Sequence, residues 1–515
     1  MVERTGLLKA QWEKLDGQKG DLISRSQQYA RWTVPSVCPE DNSGSSEITR
    51  SNVAIGPRLV QHLANRVVDV MFPSDRPFFG LKLDPGIIRK LEQQYGEQVG
   101  AFLAMVRKAT NLAAEEAVTK LNLTKYRPVA IQSAMHQIIT GNAVMRRLKD
   151  VSLVYGVKDF CIKRNLSGEP ITIILRDSKF FGTIPQSMQD AIKASSLAQT
   201  YNDDTKCALY TQYTFDDNRW TEKQAVDNYD LDTSKSYTKL DVPVYDLVWD
   251  LSRGEDYGRG LVESNATLFH NVNSTSDAIL DLISILSDVK FLVNPASGLD
   301  IQELNNSERG SYHSGQKDDI STPDFPKVAD LAQLREQVAE WERQLSQAFL
   351  YNSGTVRDAE RVTAEEIRFY VKELESSFGG LYSRLALSWQ KKEADFLLSQ
   401  TEFKIDGPGG KFEVVIQTGL ESLSREAELD SLRLALADLQ MLNTIPEDMR
   451  VAFNARKFAE FIFTQRGLRI IEFLNTQEEI QQMQQAEAQA QQQQIAAQGA
   501  SNVAEAAGKK AVEGQ

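Results

Sequence analysis

At 515 residues, 41% of them hydrophobic, the chain is long enough for several domains and can bury substantial cores. A formal net charge of −13 argues against a sequence-specific DNA binder, which needs a dense basic face, but leaves open a protein that surrounds DNA without gripping it. Three widely spaced cysteines (Cys38, Cys161, Cys207) without a CxxC pair point to buried thiols in a reducing compartment, not to a disulfide framework or a zinc site.

The N-terminal stretch MVERTGLLKAQWEKLDGQKG is charged and has no apolar signal core. No apolar run approaches the roughly 18 residues of a membrane span, so a soluble protein is expected. Residues 2–32 read as amphipathic helix broken near Gly17 to Gly20, followed by a loop rich in Pro, Ser and Asp. Leu59, Leu63, Val67 and Val70 then repeat at the helical period, and Pro73 ends that helix. Helices are predicted at about 87–120 and 124–141, the second stopped at Gly141-Asn142.

From 142 to 252 the pattern changes to short runs rich in β-branched and aromatic residues, with NLSGEP as a hairpin turn and a short helix near 185–198. Residues 260–290 return to one helix of roughly 30 residues, ~45 Å long. Asp277, Asp281 and Asp288 share a face of it, beside a crowd of Asn, Ser and Thr. Residues 291–326 are a compact, turn-rich excursion. In the helix 327–350, Val328, Leu331, Leu334, Val338, Trp341 and Leu345 form an a/d stripe suited to lateral packing.

The stretch YNSGTVRDAERVTAEEIR, Tyr351 to Arg368, sets Arg357, Arg361 and Arg368 in an otherwise acidic chain. Asn352, Ser353 and Gly354 stop the preceding helix, and Thr363 with Glu366 makes a capping box for the next. That next helix runs to about Ser399 with a kink at Gly379-Gly380, and EFKIDGPGGKFEVVIQTG is a hairpin. Residues 422–475 are helical, and the tail 476–515 is Gln/Ala-rich, either frayed or bundled with copies of itself.

No site of chemistry emerges. GPGGKF lacks P-loop spacing, and Asp230 to Asp241 has Lys235 where a calcium loop needs glycine, so it reads as a solvated turn. His62, His136, His270 and His313 are scattered, with His62 and His270 as ordinary helix-face residues. There is no catalytic constellation, metal site or cofactor motif, which argues against an enzyme.

Five stretches occur in a fixed order: DYGRG (256–260), LVNPASG (292–298), RVTAEEIR (361–368), FGGLYSRL (378–385) and TGLESLSR (418–425), with YARWTVPSVCPED ahead of them. Together, over residues 5–475, they resemble the portal, or head-to-tail connector, proteins of short-tailed phages. The resemblance implies an α+β, mostly α, portal fold. Its wing would be 1–259 with 363–420, its stem helices 260–290 and 327–350, and its clip 291–326. The tunnel loop would be 351–362, the crown 421–475, and 476–515 a helical barrel or a disordered tail. It further implies a homo-oligomer, a dodecameric ring at one capsid vertex of the virion, assembled in the host cytoplasm. Double-stranded DNA would pass through its channel. The implied partners are terminase, then tail adaptor and nozzle proteins, with major capsid, scaffold and internal core proteins around the ring, and no membrane. Asn352, Gly354, Arg357 and Arg361 would lie in the tunnel loop, and Asp277, Asp281 and Asp288 would line the channel wall. Two readings compete with it: another oligomeric virion protein, such as an adaptor or internal core protein, and a packaging enzyme.

Overall fold

The computed structural model describes residues 6–40, 53–74, 77–83, 86, 99–148, 151–194, 201–239, 241–287, 292–295, 300–308, 318–321, 328–351 and 380–400, the strand segments 406–407, 410–411 and 414–417, and isolated positions elsewhere. The chain divides into two compact units, residues 1–78 with 116–401 and residues 79–115 with 402–515.

The chain opens with α1 (Leu7–Asp16), a 3-10 turn (Gly17–Lys19) and α2 (Gly20–Trp32), matching the predicted break. α3 (Ile55–Met71) buries Leu59, Leu63, Val67 and Val70, the face its periodicity marks. β1 (Gly80–Leu83) and α4 (Val99–Asn122) follow, then α5 (Tyr126–Thr140). Gly141 ends α5 in the left-handed region at φ 79°, and a side chain there would come within 2.4 Å of the Arg259 backbone.

The β-rich region holds β2 (Asn142–Arg147), β3 (Ser152–Tyr155), β4 (Phe160–Arg164), β5 (Pro170–Phe180), α6 (Gln186–Lys193), β6 (Lys206–Asp216), β7 (Arg219–Val226), β8 (Tyr229–Tyr237) and β9 (Val244–Val248). It forms two antiparallel sheets, one of order β3-β2-β9 and one a meander β4-β5-β6-β7-β8. α1 covers one face of the meander, seating Leu8 and Trp12 against Cys161, Ile174, Tyr210 and Ala225. α6 covers part of the other, where Ile192 packs with Phe181, Leu209, Val226 and Leu231. All three cysteines are buried.

The stretch from Asp230, expected as a solvated turn, is mostly strand β8. Asp217, Asn218 and Asp227 have positive φ; the first two close the β6–β7 hairpin, and Asp227 lies in the turn that brings β8 onto β7. Cross-strand pairing and burial of Leu231 supply what the polar sequence's own propensity does not.

Beyond β9 come α7 (Leu261–Ser264) and α8 (Ala266–Ser287), then β10 (Leu292–Val293), α9 (Ile301–Asn306), β11 (Ile320–Ser321) and α10 (Val328–Ala348). The single helix expected from 260 is interrupted at Asn265, whose side-chain amide donates to the Leu261 carbonyl at 3.0 Å. α11 (Leu381–Leu385), a π turn (Ala386–Gln390) and α12 (Lys391–Ser399) follow. Gly380 at φ 82° starts α11 afresh, which is a break and not the expected kink. In the second unit, β12 (Asp406–Gly407) and β13 (Gly410–Lys411) form a tight hairpin, while β14 (Val414–Gln417) pairs with β1 instead of folding back on β12.

Candidate functional site: an acidic helix pair and its seat

α8 and α10 are antiparallel neighbours. At one end Phe269 meets Phe349 edge to face, with centroids 5.7 Å apart. At the other end β10 pairs with β11, Leu292 opposite Ser321. The seam between the helices is made of Phe269, Val272 and Ile279 on one side and Leu345 and Phe349 on the other, all buried. Burial fades along α10. Leu345 is 0% exposed, Trp341, Val338 and Leu331 are half-buried, and Leu334 is 38% exposed. Leu280 on α8 is 47% exposed. One partner helix therefore covers only part of the a/d stripe.

The pair is acidic. In sequence it carries Asp277, Asp281, Asp330, Glu336, Glu340 and Glu342 against Arg335 and Arg343. Asp277 and Asp281 are exposed, one turn apart. Arg343 forks onto Glu340 at 2.6 and 2.8 Å, and this contact, with a further hydrogen bond from Gln344, pulls the Glu340 carboxyl down to about 2.

The DYGRG stretch seats this pair on the β-rich region. Gly258 N–H donates to Asn142 Oδ1 at 2.7 Å, and Asn142 Nδ2 donates to the Gly258 carbonyl at 2.8 Å. A side chain on Gly258 would meet Val248 at 2.2 Å, and one on Gly260 the Ile138 carbonyl at 2.6 Å, so both glycines are required by close approach. Arg164 holds the Asp256 carbonyl through Nε at 2.8 Å and grips Asp246 with both terminal nitrogens. Trp32 stacks on Phe269 at 6.4 Å, and Arg25 reaches Glu263 at 2.9 Å, fixing α2 to the root of α8.

Behind the seat lies a buried hub. Arg147 Nε donates to Glu393 Oε1 at 3.0 Å, with side chains 1% and 0% exposed. The guanidinium lies over the rings of Tyr126 and Phe396, at 5.2 and 4.8 Å. Burial pushes the Glu393 carboxyl up, and Arg147 opposes that shift. Trp389 Nε1 donates to the Tyr126 hydroxyl at 2.8 Å, and Gln390 donates to the Met71 carbonyl, so the π turn spends its side chains joining α3, α5 and α12.

Of the site residues expected from sequence, Asp277 and Asp281 lie on the helix pair. Asp288, Asn352, Gly354, Arg357, Arg361, Thr363 and Glu366 lie outside the described residues. α10 ends at Ala348 and its closing turn at Leu350, before the Asn352-Ser353-Gly354 stop expected from composition. His62, expected as an ordinary helix-face residue, packs against Tyr351 at that stop, and no sequence spacing pointed to it.

The described residues thus present an antiparallel acidic helix pair, joined at one end by a small β bridge and rooted in a β-rich body. The chain belongs to the bacteriophage head-to-tail connecting protein family, whose model matches residues 5–468. It is similar to the portal protein of Enterobacteria phage SP6, 27% identical over 93% of this chain and 92% of that protein. The portal protein of Enterobacteria phage T3 is 27% identical over 84% and 83% of the two chains, and that of Pseudomonas phage phiKMV 28% identical over 94% of each.

Proposed function

We propose that copies of this chain assemble into a dodecameric ring at one vertex of the virion capsid, and that the ring's axis is the channel through which double-stranded DNA is packaged and ejected. The observation that carries this reading is the half-covered stripe of α10. Leu334 and Leu280 stay exposed in the single chain, at 38% and 47%, on a helix pair too polar elsewhere to be core. A neighbouring copy's helix pair, set alongside, supplies the missing cover. The acidic surplus of the pair suits a wall that lets DNA slide. Carboxylates repel phosphate, whereas a basic wall would add strongly salt-dependent affinity.

In this reading Asp277 and Asp281, continued by Asp288, face the axis. Residues 351–362 form the tunnel loop, in which Asn352 and Gly354 give the turn and Arg357 and Arg361 meet DNA. Thr363 and Glu366 cap the helix that follows. The wing comprises 1–259 and 363–420, the stem 260–290 and 327–350, the clip 291–326, the crown 421–475, and 476–515 a tail or barrel. Terminase docks on the ring during packaging and gives way to tail adaptor and nozzle proteins. Capsid, scaffold and internal core proteins surround it. The chain itself carries out no chemistry in this reading. Leu280→Glu combined with Leu334→Glu tests it: both sites are exposed, so the fold and its melting temperature should hold while ring assembly, read by light scattering, is lost. Rings of unchanged yield would refute the lateral packing.

A further inference from the structure

The end of α10 is built in an unusual way. Phe349 N–H still donates to the Leu345 carbonyl at 3.0 Å, as in a regular helix. The next two amides change partners: Leu350 N–H donates to Gln347 O at 3.1 Å, and Tyr351 N–H to Ser346 O at 2.7 Å. These are the paired bonds of a Schellman stop, which places one residue in the left-handed region, usually glycine. Here that residue is Leu350, at φ 55°. A leucine Cβ crowds the following carbonyl in that conformation. Among the described residues, the other non-glycine residues with positive φ are Asp217, Asn218 and Asp227, whose short polar side chains tolerate it in hairpin turns. Leu350 is the outlier, and its stop needs support from outside the helix.

That support comes from α3. The His62 ring meets the Tyr351 ring edge-on, with centroids 5.0 Å apart and planes at 84°. Partial burial, and then the charge of Arg66 one turn along, favour the neutral imidazole, against a smaller opposing pull from the Leu350 backbone beside it. One side chain of a neighbouring helix thus lies against both residues that leave the helix register: its ring meets Tyr351, and the Leu350 backbone is beside it.

We propose that His62 is a positioning residue: together with Tyr351 it keeps the left-handed stop at Leu350 closed, and so fixes the point at which the chain leaves α10 for residues 352–362. The consequence for the channel rests on the portal reading; the catch itself does not.

Hydrogen exchange on assembled rings of the full chain tests it. His62→Ala should raise exchange at the Leu350 and Tyr351 amides about tenfold, the equivalent of one lost edge-to-face ring contact. His62→Phe, which keeps an aromatic ring against Tyr351, should recover most of the protection. Leu350→Gly in the His62→Ala background should also recover it, because glycine holds the left-handed conformation unaided. Exchange in His62→Ala within about twofold of wild type, or no recovery with Leu350→Gly, overturns the proposal. Virions carrying His62→Ala should also retain packaged DNA less well, with ring assembly unchanged. Raised exchange with unchanged retention sustains the catch and sinks the assignment of 352–362 to the channel.

Discussion

Removing the Glu393 carboxylate strands the Arg147 guanidinium in the interior. The two side chains are 1% and 0% exposed, so bulk water does not solvate the charge left behind. After Glu393→Ala, Arg147 keeps a 3.1 Å hydrogen bond to Ser152 Oγ and its seat over Tyr126 and Phe396. None of these supplies a negative charge. Breaking one side of a buried pair costs about 3–5 kcal/mol, and that is the loss expected in urea unfolding of the purified protein. Arg147→Met combined with Glu393→Leu removes both charges and keeps the volume, so its stability should stay within about 1 kcal/mol of wild type. The reasoning fails if Glu393→Ala costs under about 1 kcal/mol, or if the double variant loses as much as the two single variants together.

Two further outcomes are expected. Burial holds His136 down at about 4, and its Nδ1 has no hydrogen-bond partner among the described residues. A folded-state value below the ordinary 6.5 means the contribution is complete above 6.5 and is lost as pH falls toward 4. Between pH 7 and pH 5 wild type should lose about 2 kcal/mol more than His136→Leu, read by unfolding of both at both pH values. Arg357→Ala with Arg361→Ala should leave ring assembly intact and impair packaging or DNA retention; if both are unchanged, the two arginines do not touch DNA.

Local pattern carried much of the fold. The α3 face repeats at the helical period and is buried as that period requires, and Gly141 stops α5 where glycine is needed. Strand β8 was not legible because DLDTSKSY has little strand propensity of its own, and its place comes from pairing with β7. The break at Asn265 follows from one side-chain hydrogen bond inside a run that otherwise reads as helix. The helix pair was legible as two periodic segments around a turn-rich excursion, and the exposed aspartates by their spacing. The Leu350 stop was not, since leucine disfavours the conformation it adopts. Nor was the role of His62, whose partner lies 289 positions away in the chain. The glycines of DYGRG stood out as a motif, but the reason for them, contact with Val248 and with the end of α5, is tertiary.

Electron microscopy of the purified chain tests the central claim most directly. The account predicts rings with an open axis, dodecameric by symmetry, in which α8 and α10 line the hole and Asp277 and Asp281 point into it. Monomers, filaments or closed particles without an axial hole would contradict it.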